Sequence, residues 1–142
     1  MRRSAVVGVT AATLVLGLVA CGGAEKEEAA SDGAIAASLG EWFVKPAQAT
    51  ASAGELTFSA ENDGKLVHEL EVVKTDTPAG DFPLEGDRAN VEEVGEESGE
   101  VEDIAAGKSK PLQVSLEPGK YVLICNLPGH YKSGMHSAFT VQ

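Results

Sequence analysis

Short runs with a two-residue period constrain this chain more than any other feature. In Glu55–Glu61, Leu56, Phe58 and Ala60 share one face, with Thr57 and Ser59 on the other. Leu66, His68, Leu70 and Val72 alternate with Glu69 and Glu71 in the next run. Leu112, Val114 and Leu116 alternate with Gln113 and Ser115, and Tyr121, Leu123 and Cys125 with Val122, Ile124 and Asn126. Phe139 and Val141 make a last short run, and Trp42–Val44 predicts a first one. Successive side chains of a strand point to opposite faces, so this periodicity predicts half-buried strands rather than helices. Turn residues punctuate the runs. Asn62-Asp63-Gly64 predicts a hairpin, and Pro118-Gly119 separates two further strands. Short strands so spaced predict an all-β sandwich or barrel.

The stretch from Thr75 to Asp103 breaks the pattern. It holds Pro78, Gly80, Pro83, Gly86, Gly95 and Gly99, and acids accumulate over residues 81–103. A helical turn near Asn90–Val94 and a strand near Glu100–Ile104 are expected within this excursion. Its charge run reads as a solvated face. The ligand spacing of an EF-hand calcium loop is absent.

The N-terminus follows a different logic. Met1-Arg2-Arg3 is a basic head, and Val6 to Ala20 is apolar and uncharged. Small residues follow, so residues 1–20 read as a signal peptide, too short for a comfortable membrane span. Leu18-Val19-Ala20-Cys21 resembles the lipobox of bacterial lipoproteins, which implies a lipid on Cys21. Residues 21–38 offer little to bury and are expected to be a flexible polar tether, with residues 39–142 as the folded domain. The expected location is outside the cytoplasm, on the bacterial cell membrane, held through the lipid alone. The net charge is −11, and losing Arg2 and Arg3 with the leader takes it to −13. Such a balance argues against nucleic acid or anionic lipid as a partner. A monomer is expected.

The chain has two cysteines. With Cys21 lipidated, Cys125 is left without a partner in an oxidising compartment, and metal ligation would account for it. It opens the segment Cys125-Asn126-Leu127-Pro128-Gly129-His130-Tyr131-Lys132-Ser133-Gly134-Met135. A thiolate, an imidazole and a thioether thus share one loop between two strands. A second imidazole, His68, lies on the inward face of a distant strand. Taken singly, each has an ordinary reading: a buried thiol, a core histidine, a loop residue, a packing methionine. Taken together, soft sulfur and imidazole donors suit copper, and two His, one Cys and a weak axial Met form a blue-copper set. Such a site suits neither Cu(I) nor Cu(II) fully, so the electron moves with little ligand rearrangement. Once Met1 leaves with the leader, Met135 is the remaining thioether. His136 is a weaker axial candidate, because adjacent side chains of a strand point apart.

The order Asn62-Asp63-Gly64, His68, Cys125, His130, Met135, with spacing Cys-x4-His-x4-Met, resembles the cupredoxin family. It is most similar to the small bacterial sulfocyanins and rusticyanins; the corresponding loop of plastocyanin and azurin is shorter. The resemblance implies a Greek-key β-sandwich and one copper ion cycling between Cu(I) and Cu(II). His68, Cys125, His130 and Met135 would be the ligands. It also implies electron exchange with a redox protein such as a cytochrome or terminal oxidase, through an apolar patch around His130 formed by Leu127, Pro128 and Tyr131. One departure stands out. Plastocyanin and azurin have an Asn after the first His, where this chain has Glu69, and an ionised Glu has no side-chain donor. The alternative function is extracytoplasmic copper handling, as a chaperone, sequestering or homeostasis factor. An enzyme is not expected: after His68, His130 and His136 no histidine remains for a second copper.

Overall fold

The structure is a computed structural model that describes residues 33–142. The expected signal peptide, Cys21 and most of the tether lie outside the described residues. In chain order the strands are β1 (Ile35–Gly40), β2 (Phe43–Pro46), β3 (Thr50–Ala51), β4 (Gly54–Asn62), β5 (His68–Lys74), β6 (Leu84–Glu85) and β7 (Arg88–Ala89). After the short helix α1 (Val91–Val94) come β8 (Glu96–Ile104), β9 (Ser109–Leu116), β10 (Gly119–Ile124) and β11 (His136–Val141). A 3-10 turn, Tyr131–Ser133, separates the last two strands. Among the described residues no helix is long and apolar enough to cross a membrane.

Two sheets face each other, in the strand orders β2-β1-β4-β9 and β3-β11-β10-β5-β8. The chain crosses between them repeatedly, which makes the expected Greek-key sandwich. The alternating apolar residues meet in the middle: Leu39, Phe58, Leu70, Val72, Ile104, Leu123 and Phe139 are buried together. Phe58 of one sheet and Phe139 of the other pack edge to face, with centroids 5.4 Å apart.

Three regions depart from expectation. Asn62-Asp63-Gly64 does not close a hairpin, because β4 and β5 belong to different sheets. Asn62 Oδ1 accepts from the Gly64 amide, and its Nδ2 donates to the carbonyls of Leu66 and Ile104. The side chain thus turns the chain across the sandwich instead of back along one sheet. Leu66, expected on the inward face, precedes β5 and is exposed.

The second change concerns the N-terminal boundary. β1 starts at Ile35, ahead of the expected boundary at 39, and Ile35 and Ala37 are buried. β1 pairs in parallel with β4 and antiparallel with β2, so part of the expected tether is a central strand. Its small residues, Ala36, Ala37 and Ser38, hid it in the sequence.

The third change concerns β5 and the excursion. Glu69 and Glu71 were expected to face solvent, yet both are buried. The excursion covers the outer face of the five-stranded sheet. Phe82, Ala89, Val91 and Val94 pack there against Val73, Val122, Ile124 and Tyr131. A second small core therefore lies outside the sandwich, over the strands that carry His68 and Cys125.

Candidate metal centre

His68 begins β5, Cys125 follows the last residue of β10, and His130 and Met135 lie on the loop from β10 to β11. All four are thereby brought to one end of the sandwich. His68, Cys125 and Met135 are fully buried, and His130 is partly exposed. The loop is closed at its base by Cys125 N–H donating to Met135 O at 3.1 Å, and Met135 N–H donates to His130 O at 3.2 Å. These bonds hold the Met135 backbone beside Cys125, and both side chains are buried in the main core.

Three donor atoms form a triangle. His68 Nδ1 and His130 Nδ1 are 3.2 Å apart, and Cys125 Sγ lies 3.3 Å from His130 Nδ1 and 3.8 Å from His68 Nδ1. Bonds of about 2.0–2.3 Å, usual for imidazole nitrogen and thiolate on a first-row metal, demand a triangle of this size. Among the described residues these three form one metal-competent group, and the thiolate–imidazole–thioether chemistry fits copper.

The electrostatics keep the donors free of charge until a cation arrives. Burial pushes the Cys125 thiol up to about 11, against the amides of Glu69 and Leu127. Burial also holds His68 below its ordinary value, opposed by Glu41, and holds His130 down with help from His68. Two imidazoles and a thiol, all neutral, make a soft cavity with no net charge of its own.

Glu69 meets the site in a way its side-chain chemistry alone does not suggest. Its backbone N–H points at Cys125 Sγ at 3.5 Å, and its carboxylate Oε1 accepts from the Asn126 amide at 2.8 Å. The donor toward sulfur comes from the backbone, and the side chain fastens the residue after the cysteine. Burial, then Glu100, raises the Glu69 carboxyl above its ordinary range. Asn126 is held from the other side by the excursion. Its Oδ1 accepts from Ala89 N–H at 2.7 Å, its Nδ2 donates to Ala89 O, and its carbonyl accepts from Arg88.

Tyr131 does not belong to a surface patch. It is 4% exposed, its hydroxyl donates to Ala79 O at 2.7 Å and accepts from Phe82 N–H at 2.9 Å, and its ring stacks on Phe82. The 3-10 turn rotates it inward, beneath the excursion. Pro128 is exposed, whereas Leu127 is partly buried against the main core. His136 packs on Tyr131, with ring centroids 5.1 Å apart, and takes no part in the donor triangle.

Trp42 and Glu41, which the sequence did not tie to the donors, meet them in the structure. Trp42 meets the His130 ring edge to face at 5.3 Å and is 45% exposed. Phe43, Leu66 and Val67 are exposed beside it in sequence or beside His68. Glu41 reaches His68 from the turn between β1 and β2. No pattern in the sequence ties a turn at Glu41-Trp42 to a strand at His68; the two meet only because β1 lies in the facing sheet.

Comparisons with known proteins agree with this geometry. The Sulfocyanin (SoxE) domain family matches residues 24–142. Among curated protein sequences none matches this chain significantly. Among solved structures, dithionite-reduced auracyanin from the photosynthetic bacterium Roseiflexus castenholzii is 22% identical, with a TM-score of 0.55 over 79% of this chain and 98% of its own. Auracyanin A, a "blue" copper protein from the green thermophilic bacterium Chloroflexus aurantiacus, is 19% identical, with a TM-score of 0.56 over 77% and 98%. A rusticyanin variant is 16% identical, with a TM-score of 0.54 over 79% of each chain. At these identities the likeness is one of fold.

Proposed function

Because the chain belongs to the sulfocyanin (SoxE) family of cupredoxins, which bind one copper ion, we propose that it is a one-electron carrier of the type 1 blue-copper kind. The observation that carries this reading is the buried triangle of His68 Nδ1, His130 Nδ1 and Cys125 Sγ. These three residues, with Met135 beside them, would hold the ion. Copper, when bound, supplies the one-electron couple. The protein supplies stiffness: His68 starts one strand of a sheet and Cys125 directly follows another, and Met135 and Asn126 are tied down by backbone and side-chain bonds. A site held this firmly changes little between oxidation states, which favours fast exchange over metal release.

Electrons would leave through His130, the one donor that is partly exposed. Trp42 packs against it, and the exposed Trp42, Phe43, Leu66, Val67 and Pro128 would offer apolar surface to a redox protein such as a cytochrome or terminal oxidase. The reading is that of a carrier rather than an enzyme, since His136, the third histidine of the chain, packs on Tyr131 away from the centre. The lipid on Cys21 and the tether would place a monomeric domain outside the bacterial cell membrane, free to move between partners. Replacing Cys21 with Ala should shift the protein from the membrane fraction to the soluble one.

Loading the purified domain with Cu(II) tests the central reading. An intense thiolate-to-copper band in the visible and reversible one-electron reduction are expected; a colourless adduct would overturn it. Copper that binds but never cycles with a cytochrome would favour handling over transfer. Trp42→Ala should keep the band and slow electron exchange with the partner.

A further inference from the structure

We propose that Glu41 is a positioning residue for the copper centre: its carboxylate fixes the tautomer and orientation of His68 and biases the site toward the oxidised metal. This rests on the copper reading for its redox half, while its tautomer half concerns the protein alone.

The geometry around one oxygen carries the inference. Glu41 Oε1 accepts from the amides of Lys65 and Leu66, both at 2.8 Å, and from His68 Nε2 at 3.2 Å. A carboxylate is an acceptor only, so His68 must carry its proton on Nε2. The Nδ1 lone pair is then left facing Cys125 and His130, which is the face a metal needs. The contact is built rather than accidental. A Cβ on Gly64 would stand 2.5 Å from Glu41 Oε1, so the absence of a side chain at 64 is what gives the carboxylate its seat. The same oxygen also clamps the Gly64–Val67 connection that delivers His68 to the start of β5.

Two consequences follow. A carboxylate on the far nitrogen of a ligating imidazole raises its basicity and orients the ring. The negative charge also stabilises Cu(II) relative to Cu(I), which lowers the reduction potential. Among the described residues His130 has no carboxylate hydrogen-bond partner; its neighbour is the Trp42 ring. The two imidazoles are therefore unequal, with His68 preset and His130 free to adapt.

Glu41→Gln separates charge from scaffolding, because the glutamine oxygen can keep all three bonds. Glu41→Ala removes both, and Gly64→Ala keeps the charge while displacing it. In the metal-free wild-type protein, long-range 1H–15N NMR should show His68 protonated on Nε2. Glu41→Gln should retain that tautomer, while Glu41→Ala and Gly64→Ala should give a mixture. With copper bound, Glu41→Gln should shift the ratio of Cu(II) to Cu(I) affinity by about tenfold toward Cu(I), a rise of about 59 mV for one electron. Finding His68 protonated on Nδ1 in the wild type, or an unchanged potential in Glu41→Gln, would overturn the proposal. Failure of the wild type to give a blue adduct would overturn the copper reading, and the NMR result would still decide the tautomer.

Discussion

At the scale of single residues, the centre depends on what each donor is before the metal arrives. Cys125 is a neutral thiol at pH 7, because burial lifts it to about 11, and both imidazoles are held below their ordinary values. Metal ligation needs the thiolate. Binding Cu(II) at pH 7 should therefore release one proton per site, read by calorimetry in buffers of different ionisation enthalpy. Apparent affinity should rise about tenfold per pH unit above 7 until the thiol's own range is approached. Cys125→Ser should abolish the proton release and the visible band together. Glu69 carries the complementary lesson. Its carboxylate cannot donate toward the thiolate, yet the position still supports sulfur, because any residue there except proline offers the same backbone N–H.

At the scale of elements, the excursion between β5 and β8 buttresses the centre. Its β6–β7 hairpin holds Asn126, and its Phe82 and α1 cover the sheet that bears His68 and Cys125. Tyr131 is the rivet between excursion and ligand loop. Tyr131→Phe leaves the Phe82 amide without its partner and should cost about 1–3 kcal/mol. Hydrogen exchange at Phe82 should accelerate while the main core stays protected. The same cover buries acids. Burial first, then Glu100, Glu97 and Glu69, raises Glu71 from 4.5 to about 7. A folded carboxyl raised in this way holds a proton that the unfolded chain gives up. Stability should thus fall as pH rises from about 4.5 through 7, then level off. Urea unfolding of the metal-free domain at pH 5 and pH 8 measures this. Glu71→Gln should flatten the trend and stabilise the domain at pH 8 by about 1–3 kcal/mol.

At the scale of the whole molecule, the sandwich is closed along one side where β8 and β9, from opposite sheets, come together. Gly99 makes that approach possible: a Cβ there would stand 2.5 Å from Val114 Cγ1. Gly99→Ala should cost about 1–3 kcal/mol by overpacking, seen as a lower melting temperature with an unchanged visible band when copper is bound. How much of this was legible beforehand divides along physical lines. The sequence by itself determined the strands, through the two-residue alternation of Leu56–Ala60, Leu112–Leu116 and Tyr121–Cys125, because burial on one face leaves a local mark. It also determined the donor set, because copper selects side chains by type and the Cys125–Met135 spacing is set within one loop. Only the tertiary structure decided which partners those residues have. Asn62 reads as a hairpin turn until β4 and β5 fall in different sheets. Tyr131 reads as a surface residue until the 3-10 turn rotates it inward. Glu41 carries no signal, and Trp42 signals only a short strand, because their roles at the site arise from contacts across the sandwich with His68 and His130. Contacts between residues far apart in the chain leave no periodicity to read; they exist only once the two sheets have packed.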